Sequence, residues 1–216
     1  MNREERIEDS RFYHVYNRGN NRERIFGDDS DYEAFLKKID LRMARYLVAV
    51  PIYCLMPNHF HMIVLQNPGG NLSDFMGALA TSAAKRYNLK YGHIGHVFQG
   101  AFRFKPVPDD ALWDVAGYIH LNPVKAGLAK EPDEWKFSNF AQMKIAQMKV
   151  TFIDDQSRKK VTFNPAIERG GRKPLSFRLD PLWDGYVEHV RKLLTNERME
   201  KVYWKRVQSH VKGFLD

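Results

Sequence analysis

Two apolar runs, residues 46–55 and 59–65, are separated only by Met56-Pro57-Asn58, so the chain has to turn back between two strands. The second run opens His59-Phe60-His61-Met62 and continues Ile63-Val64-Leu65. Successive side chains of a strand point to opposite faces, which gives His59 and His61 one face and Phe60 and Met62 the other. Two imidazoles about 7 Å apart on a rigid strand suit a pair of metal ligands. The same His-X-His pattern also occurs as a structural or surface feature, so it needs a second constellation beside it.

The remaining elements follow from periodicity and turn residues. Arg11 to Asn17 mixes aromatic and β-branched residues and reads as a first strand, ending in Asn17-Arg18-Gly19-Asn20-Asn21. Asp29 or Ser30 caps a helix carrying Tyr32, Phe35, Leu36, Ile39 and Met43 at helical spacing. After Pro68-Gly69-Gly70-Asn71, a second amphipathic helix is traced by Leu72, Phe75, Met76, Leu79, Ala83 and Tyr87. A glycine-rich connection, Tyr91 to His96, leads to a fourth strand over Val97 to Val107. Asp109 and Asp110 suit the cap and first turn of a further helix, whose core stripe is Leu112, Val115, Ala116 and Ile119. The order β-α-β-β-α-β predicts an α+β, ferredoxin-like sandwich with an antiparallel sheet. Both crossover helices then cover one sheet face, and the other is left for chemistry.

The second constellation lies on that last helix. Tyr118 and Asn122 are four residues apart and within reach of one site. A tyrosine and an amide beside two histidines suggest an oxygen nucleophile and a third ligand; a half-buried tyrosine and a capping asparagine are the structural alternative. Five segments in this order resemble the HUH single-tyrosine transposases, in particular their REP-associated, insertion-sequence-type branch. They are Tyr13 to Asn20, Tyr53 to His61, Gly95 to Gly100, Tyr118 to Leu128, and Glu134-Trp135. The resemblance runs from about Phe12 to Phe140. Many relatives carry a basic residue directly after the Phe-Gln-Gly, where this chain has Ala101; Arg103 and Lys105 follow in alternation.

That resemblance implies metal-dependent cleavage and rejoining of single-stranded, hairpin-flanked DNA through a covalent 5′-phosphotyrosine, as in transposition. Tyr118 would be the nucleophile, and His59, His61 and Asn122 the ligands of Mg²⁺ or Mn²⁺. Imidazoles alone favour zinc-like metals, so the identity of the metal comes from the resemblance. Asn122 also precedes Pro123, and Asn-Pro is a good start for a short helix, so capping and ligation both stand open. Arg18, Asn21 and Arg22 in one turn, with Arg103 and Lys105 on the fourth strand, are candidate DNA contacts, or else ordinary surface charge. His14 reads as structural, with a DNA contact as its alternative. A non-catalytic hairpin-DNA binding protein with the same fold is the alternative function.

Composition sets the bounds. No apolar run approaches the ~20 residues of a membrane span, and no signal-peptide core follows the charged start, so a cytoplasmic protein is expected. The single cysteine, Cys54, excludes an intramolecular disulfide and sits in an apolar strand as an inert thiol. The net charge of +8 is uneven: residues 1–140 hold 18 Lys+Arg against 17 Asp+Glu, a net of +1, and residues 141–216 hold 16 against 9, a net of +7. A catalytic domain over 1–140 and a basic, mainly helical extension over 141–216 are therefore expected, the extension meeting a polyanion. The chain is expected to act as a monomer or homodimer.

Overall fold

Strand prolines mark the sheet edges before anything else does, because a proline cannot donate to a ladder on both sides. Pro51 and Pro106 lie in Val48–Met56 and Arg103–Val107, the two outer strands of a four-stranded sheet. In this computed structural model, which describes residues 7–108 and 111–141, the elements run β1 (Arg11–Arg18), α1 (Asp29–Met43), β2 (Val48–Met56), β3 (His59–Gln66), α2 (Leu72–Tyr91), β4 (Arg103–Val107) and α3 (Leu112–Lys125). The sheet order is β2-β3-β1-β4, and all three strand pairings are antiparallel. The topology is the expected α+β, ferredoxin-like one. The register shift between Ala49 and Ile52 falls at Pro51, where the missing N–H interrupts the ladder. The chain divides into two units, Met1–Val107 and Pro108–Asp216.

In the first unit, Phe60, Met62 and Val64 point from β3 into the helical layer and are fully buried. Phe60 meets Phe35 of α1 at 5.2 Å between ring centroids. Burial of such a side chain stabilises by about 1.5–3 kcal/mol. The two helices are joined through Asp31, which accepts from Tyr91 Oη at 2.6 Å, Lys90 Nζ at 3.0 Å and Arg86 Nε at 3.3 Å. Burial pulls the Asp31 carboxyl up, but the hydrogen bonds from Tyr91, Lys90 and the Gly27 and Asp28 N–H groups overcome it and hold the pKa at about 2. Asp31 also closes a capping box with Asp28, which is the true N-cap of α1, one residue before Asp29 and two before Ser30, the expected caps.

Two strand boundaries differ from expectation. Tyr46 lies outside β2, because Leu47 takes a left-handed φ of 49° that strand geometry cannot continue. The fourth strand starts at Arg103 instead of Val97. Residues 97–100 run past the end of β1, with Asn20 N–H donating to the Val97 carbonyl and Gln99 N–H to that of Arg18, both at 2.9 Å. The Gly100 carbonyl is taken by the side-chain amide of Asn17 at 3.2 Å, so the ladder resumes only beyond it.

In the second unit, α3 passes straight through Pro123. The last described segment returns to it: His120 Nε2 lies 3.0 Å from Asn139 Oδ1, and its ring meets Phe140 edge-on at 5.4 Å. Glu134 accepts from the Lys130 and Glu131 N–H groups and so fastens a short 3-10 turn. The Asp109-Asp110 cap, the boundary at 140 and the expected helices of 141–216 lie outside the described residues.

Candidate active site

Antiparallel pairing of β1 with β3 sets Tyr16 opposite His61 and Arg18 opposite His59. Pairing of β1 with β4 sets His14 opposite Lys105 and Tyr16 opposite Arg103. The period of two therefore gathers His14, Tyr16, Arg18, His59, His61, Arg103 and Lys105 on the sheet face opposite Phe60. His59 and His61 stand side by side as expected, with ring centroids 5.1 Å apart.

A third histidine joins them. His14 Nε2 lies 2.9 Å from His61 Nδ1, and both residues are buried. Tyr16 stacks on the His61 ring at 5.9 Å. The sequence reading gives His14 a structural role and Tyr16 none. The signal that identifies them is the alternation His14-Val15-Tyr16-Asn17-Arg18 taken together with the register against β3.

The tautomer of His59 is fixed by a short chain of hydrogen bonds. Asn58 donates its Nδ2 to the Arg22 carbonyl at 3.0 Å, which turns its amide oxygen toward His59. His59 Nδ1 lies 2.6 Å from that oxygen. An amide oxygen can only accept, so Nδ1 carries the proton and Nε2 keeps its lone pair. All three rings are held neutral. Burial, then the Arg18 charge, brings His59 down to about 4. Burial, then Lys105, brings His14 down to about 3. His61 is pushed well below its ordinary value by burial and then by His14, His59 and Arg18. Neutral imidazole with its lone pair on Nε2 is a form that binds a cation. The histidine pair thus fits a divalent metal, although among the described residues no three His, Cys, Asp or Glu side chains converge on one position.

The turn that carries the Asn58 contact is strained. Asn21 and Arg22 take left-handed φ values of 50° and 62°, in a backbone region that side chains other than glycine seldom occupy. Gly19 N–H donates to the Asn58 carbonyl at 2.8 Å, which holds the turn against the start of the histidine strand. Of the expected DNA contacts, Arg18, Asn21 and Arg22 thus cluster at the His59 end of the sheet, and Arg103 and Lys105 lie on β4 beside Tyr16 and His14.

On α3, Tyr118 and Asn122 are one turn apart and Tyr118 is only 3% exposed. The Asn122 side chain donates Nδ2 to the Tyr118 carbonyl at 2.8 Å and to the Ile119 carbonyl at 3.3 Å. Pro123 has no N–H, so the Ile119 carbonyl would otherwise lose its helical donor; Asn122 supplies the replacement. It does not cap a new helix, and the nitrogen it commits leaves its oxygen as the atom suited to a cation. His120, two residues along from Tyr118, is committed instead to Asn139.

Residues 9–122 match a family model described as transposase IS200 like. Among solved structures, the chain is similar to a REP-associated tyrosine transposase bound to a REP hairpin. The TM-score is 0.54 at 19% identity, covering 80% of this chain and 100% of that one. A chain provisionally named a transposase, from Deinococcus radiodurans R1, matches with a TM-score of 0.39 at 17% identity, over 55% of this chain and 95% of that one. Comparison with curated proteins found no match.

Proposed function

The chain belongs to the IS200-like transposase family, and from that premise we propose that it cleaves and rejoins single-stranded DNA beside a hairpin, through a 5′-phosphotyrosine on Tyr118. One observation carries this reading: the family match over residues 9–122 takes in both the histidine pair and the Tyr118–Asn122 turn. The hairpin is suggested by the similar solved structure, in which a REP-associated tyrosine transposase is bound to a REP hairpin.

The Tyr118 oxygen attacks the scissile phosphorus as the phenolic proton leaves. The P–O3′ bond breaks, and the departing 3′ oxygen takes up a proton. A phenol with an ordinary pKa of about 10 is a weak nucleophile at neutral pH, so charge has to be supplied at the phosphate. His59 and His61, with the Asn122 oxygen as third ligand, would hold Mg²⁺ or Mn²⁺; such a cation supplies positive charge at the phosphate when bound. Asn58 and His14 orient the two imidazoles. Arg18, Asn21 and Arg22 hold the strand at the His59 end by backbone neutralisation, with Arg103 and Lys105 along β4. The covalent ester conserves the bond energy for the second strand, so no nucleotide is consumed.

Tyr118's near-complete burial favours a second reading, a protein that binds hairpin DNA without cleaving it. The two are separated by incubating the protein with a labelled hairpin oligonucleotide and Mn²⁺, then denaturing. A protein-sized labelled species is expected from the enzyme; binding without such a species belongs to the second reading.

A further inference from the structure

The connection from α2 to residue 97 has no catalytic part in this scheme, yet it is built with care. Gly92 ends α2 with a φ of 62° and Gly95 takes 111°, both in the left-handed range that side chains disfavour. Between them Asn88 holds the loop from two sides. Its Oδ1 pairs with His93 Nδ1 at 2.9 Å, its Nδ2 donates to the Gly95 carbonyl at 3.2 Å, and its backbone carbonyl accepts the His93 N–H. The His93 ring packs edge-on against Tyr87 at 5.7 Å.

This fixed loop presents apolar surface to water. Ile94 is 95% exposed, Leu89 on the last turn of α2 is 89% exposed, and Tyr91 between them is 41% exposed. Single exposed apolar side chains are ordinary, but three within six residues, where α2 runs into a clamped loop, are not. The charge along this stretch of chain is of one sign. From residue 75 to 108 the sequence carries Lys85, Arg86, Lys90, Arg103 and Lys105 and no Asp or Glu; Arg86 and Lys90 are paired with Asp31 and Asp28 at the start of α1, which leaves Lys85, Arg103 and Lys105 outside those pairs. Lys85 lies one turn before Leu89 on the exposed side of α2. Ile94 is three residues from Val97, a span of at most about 10 Å, and the Val97 carbonyl is bonded to Asn20 of the Arg18–Arg22 turn.

A rigid apolar tip continuous with the basic Arg18–Arg22 turn beside His59 fits nucleic acid better than a protein partner. We propose that Ile94 is a wedge for the hairpin, entering the base stack at the open end of the stem while Leu89 lies against the exposed pair edge. Aliphatic side chains inserted at base steps are a known way to part stacked bases, and the cost is met by contacts the opened DNA then makes. A stem frayed in this way delivers its single-stranded foot toward the histidine end of the sheet. The inference rests on the hairpin-DNA reading above.

The test uses the full chain and a hairpin with 2-aminopurine in the closing base pair. Wild-type protein should raise its fluorescence several-fold as the base unstacks. Ile94→Ser should lose most of that rise and bind the hairpin roughly tenfold more weakly, with an unchanged melting temperature, and Ile94→Leu should retain both properties. Binding by wild type without a rise in fluorescence, or an Ile94→Ser variant with wild-type rise and affinity, overturns the wedge alone. Loss of self-association in Ile94→Ser at unchanged DNA affinity would likewise overturn it and make the tip a contact between copies. A wild-type chain that binds no hairpin overturns the DNA reading, and the wedge with it.

Discussion

His14 Nε2 lies 2.9 Å from His61 Nδ1, so one strand sets the protonation pattern of a histidine on the next. If His61 donates from Nδ1, its Nε2 carries the lone pair and can bind a cation; the reverse arrangement would block it. Replacing His14 by Ala should therefore weaken Mn²⁺ binding by about 10–100-fold. His14→Gln, whose amide oxygen accepts from Nδ1–H, should recover part of the loss. Ring ¹⁵N spectra of the metal-free protein should show His61 protonated on Nδ1. A His14→Ala variant with wild-type affinity on calorimetry would remove His14 from the site.

His59→Ala and His61→Ala should each abolish measurable Mn²⁺ binding, because the two share a face and act as one pair. Phe60 lies between them in sequence but points into the helical core. Phe60→Leu should cost about 1–2 kcal/mol of stability and leave metal binding intact. Undiminished binding in both histidine variants would defeat the metal site.

Much of this was legible in the sequence. The hairpin through Pro57-Asn58, the buried Phe60 and the shared face of His59 and His61 follow from period-two patterning alone. The roles of His14 and Tyr16 were not legible, because they depend on which strands pair and in what register, a non-local property. Asn122 was ambiguous for a local reason. Asn-Pro is a good helix start in isolation, and only the continuous helix shows its amide replacing the donor that Pro123 lacks. The late start of β4 was hidden because Asn17 takes the Gly100 carbonyl from 83 residues away in sequence.

The two tasks of Asn122 can be separated. Asn122→Ala should lose both stability and DNA cleavage. Adding Pro123→Ala restores a backbone N–H opposite the Ile119 carbonyl, so the double variant should regain stability. Cleavage should stay absent, because the oxygen proposed as third ligand is still missing. A double variant that cleaves like wild type would make Asn122 purely structural.

Acid should unfold the metal-free protein earlier than carboxylate titration would. His14, His59 and His120 are held neutral when folded, with pKa values of about 3, 4 and 4 against an ordinary 6.5. Between those limits the unfolded chain binds more protons. Stability is thus complete above about pH 6.5 and is lost as the pH falls toward 4, by up to about 1.4 kcal/mol per pH unit for each histidine. Melting curves at about pH 7.5, 6 and 5 should show a steady fall. An unchanged midpoint across that range would contradict the buried neutral histidines.

The central claim is that the Tyr118 hydroxyl becomes covalently bound to DNA. Wild-type protein and Tyr118→Phe are each incubated with a labelled hairpin oligonucleotide and Mn²⁺, then run on a denaturing gel. Wild type should give a labelled band at protein size, and Tyr118→Phe, which binds the DNA equally well, should give none. A band of equal strength from Tyr118→Phe, or cleavage by wild type that leaves only free DNA ends, would contradict the account.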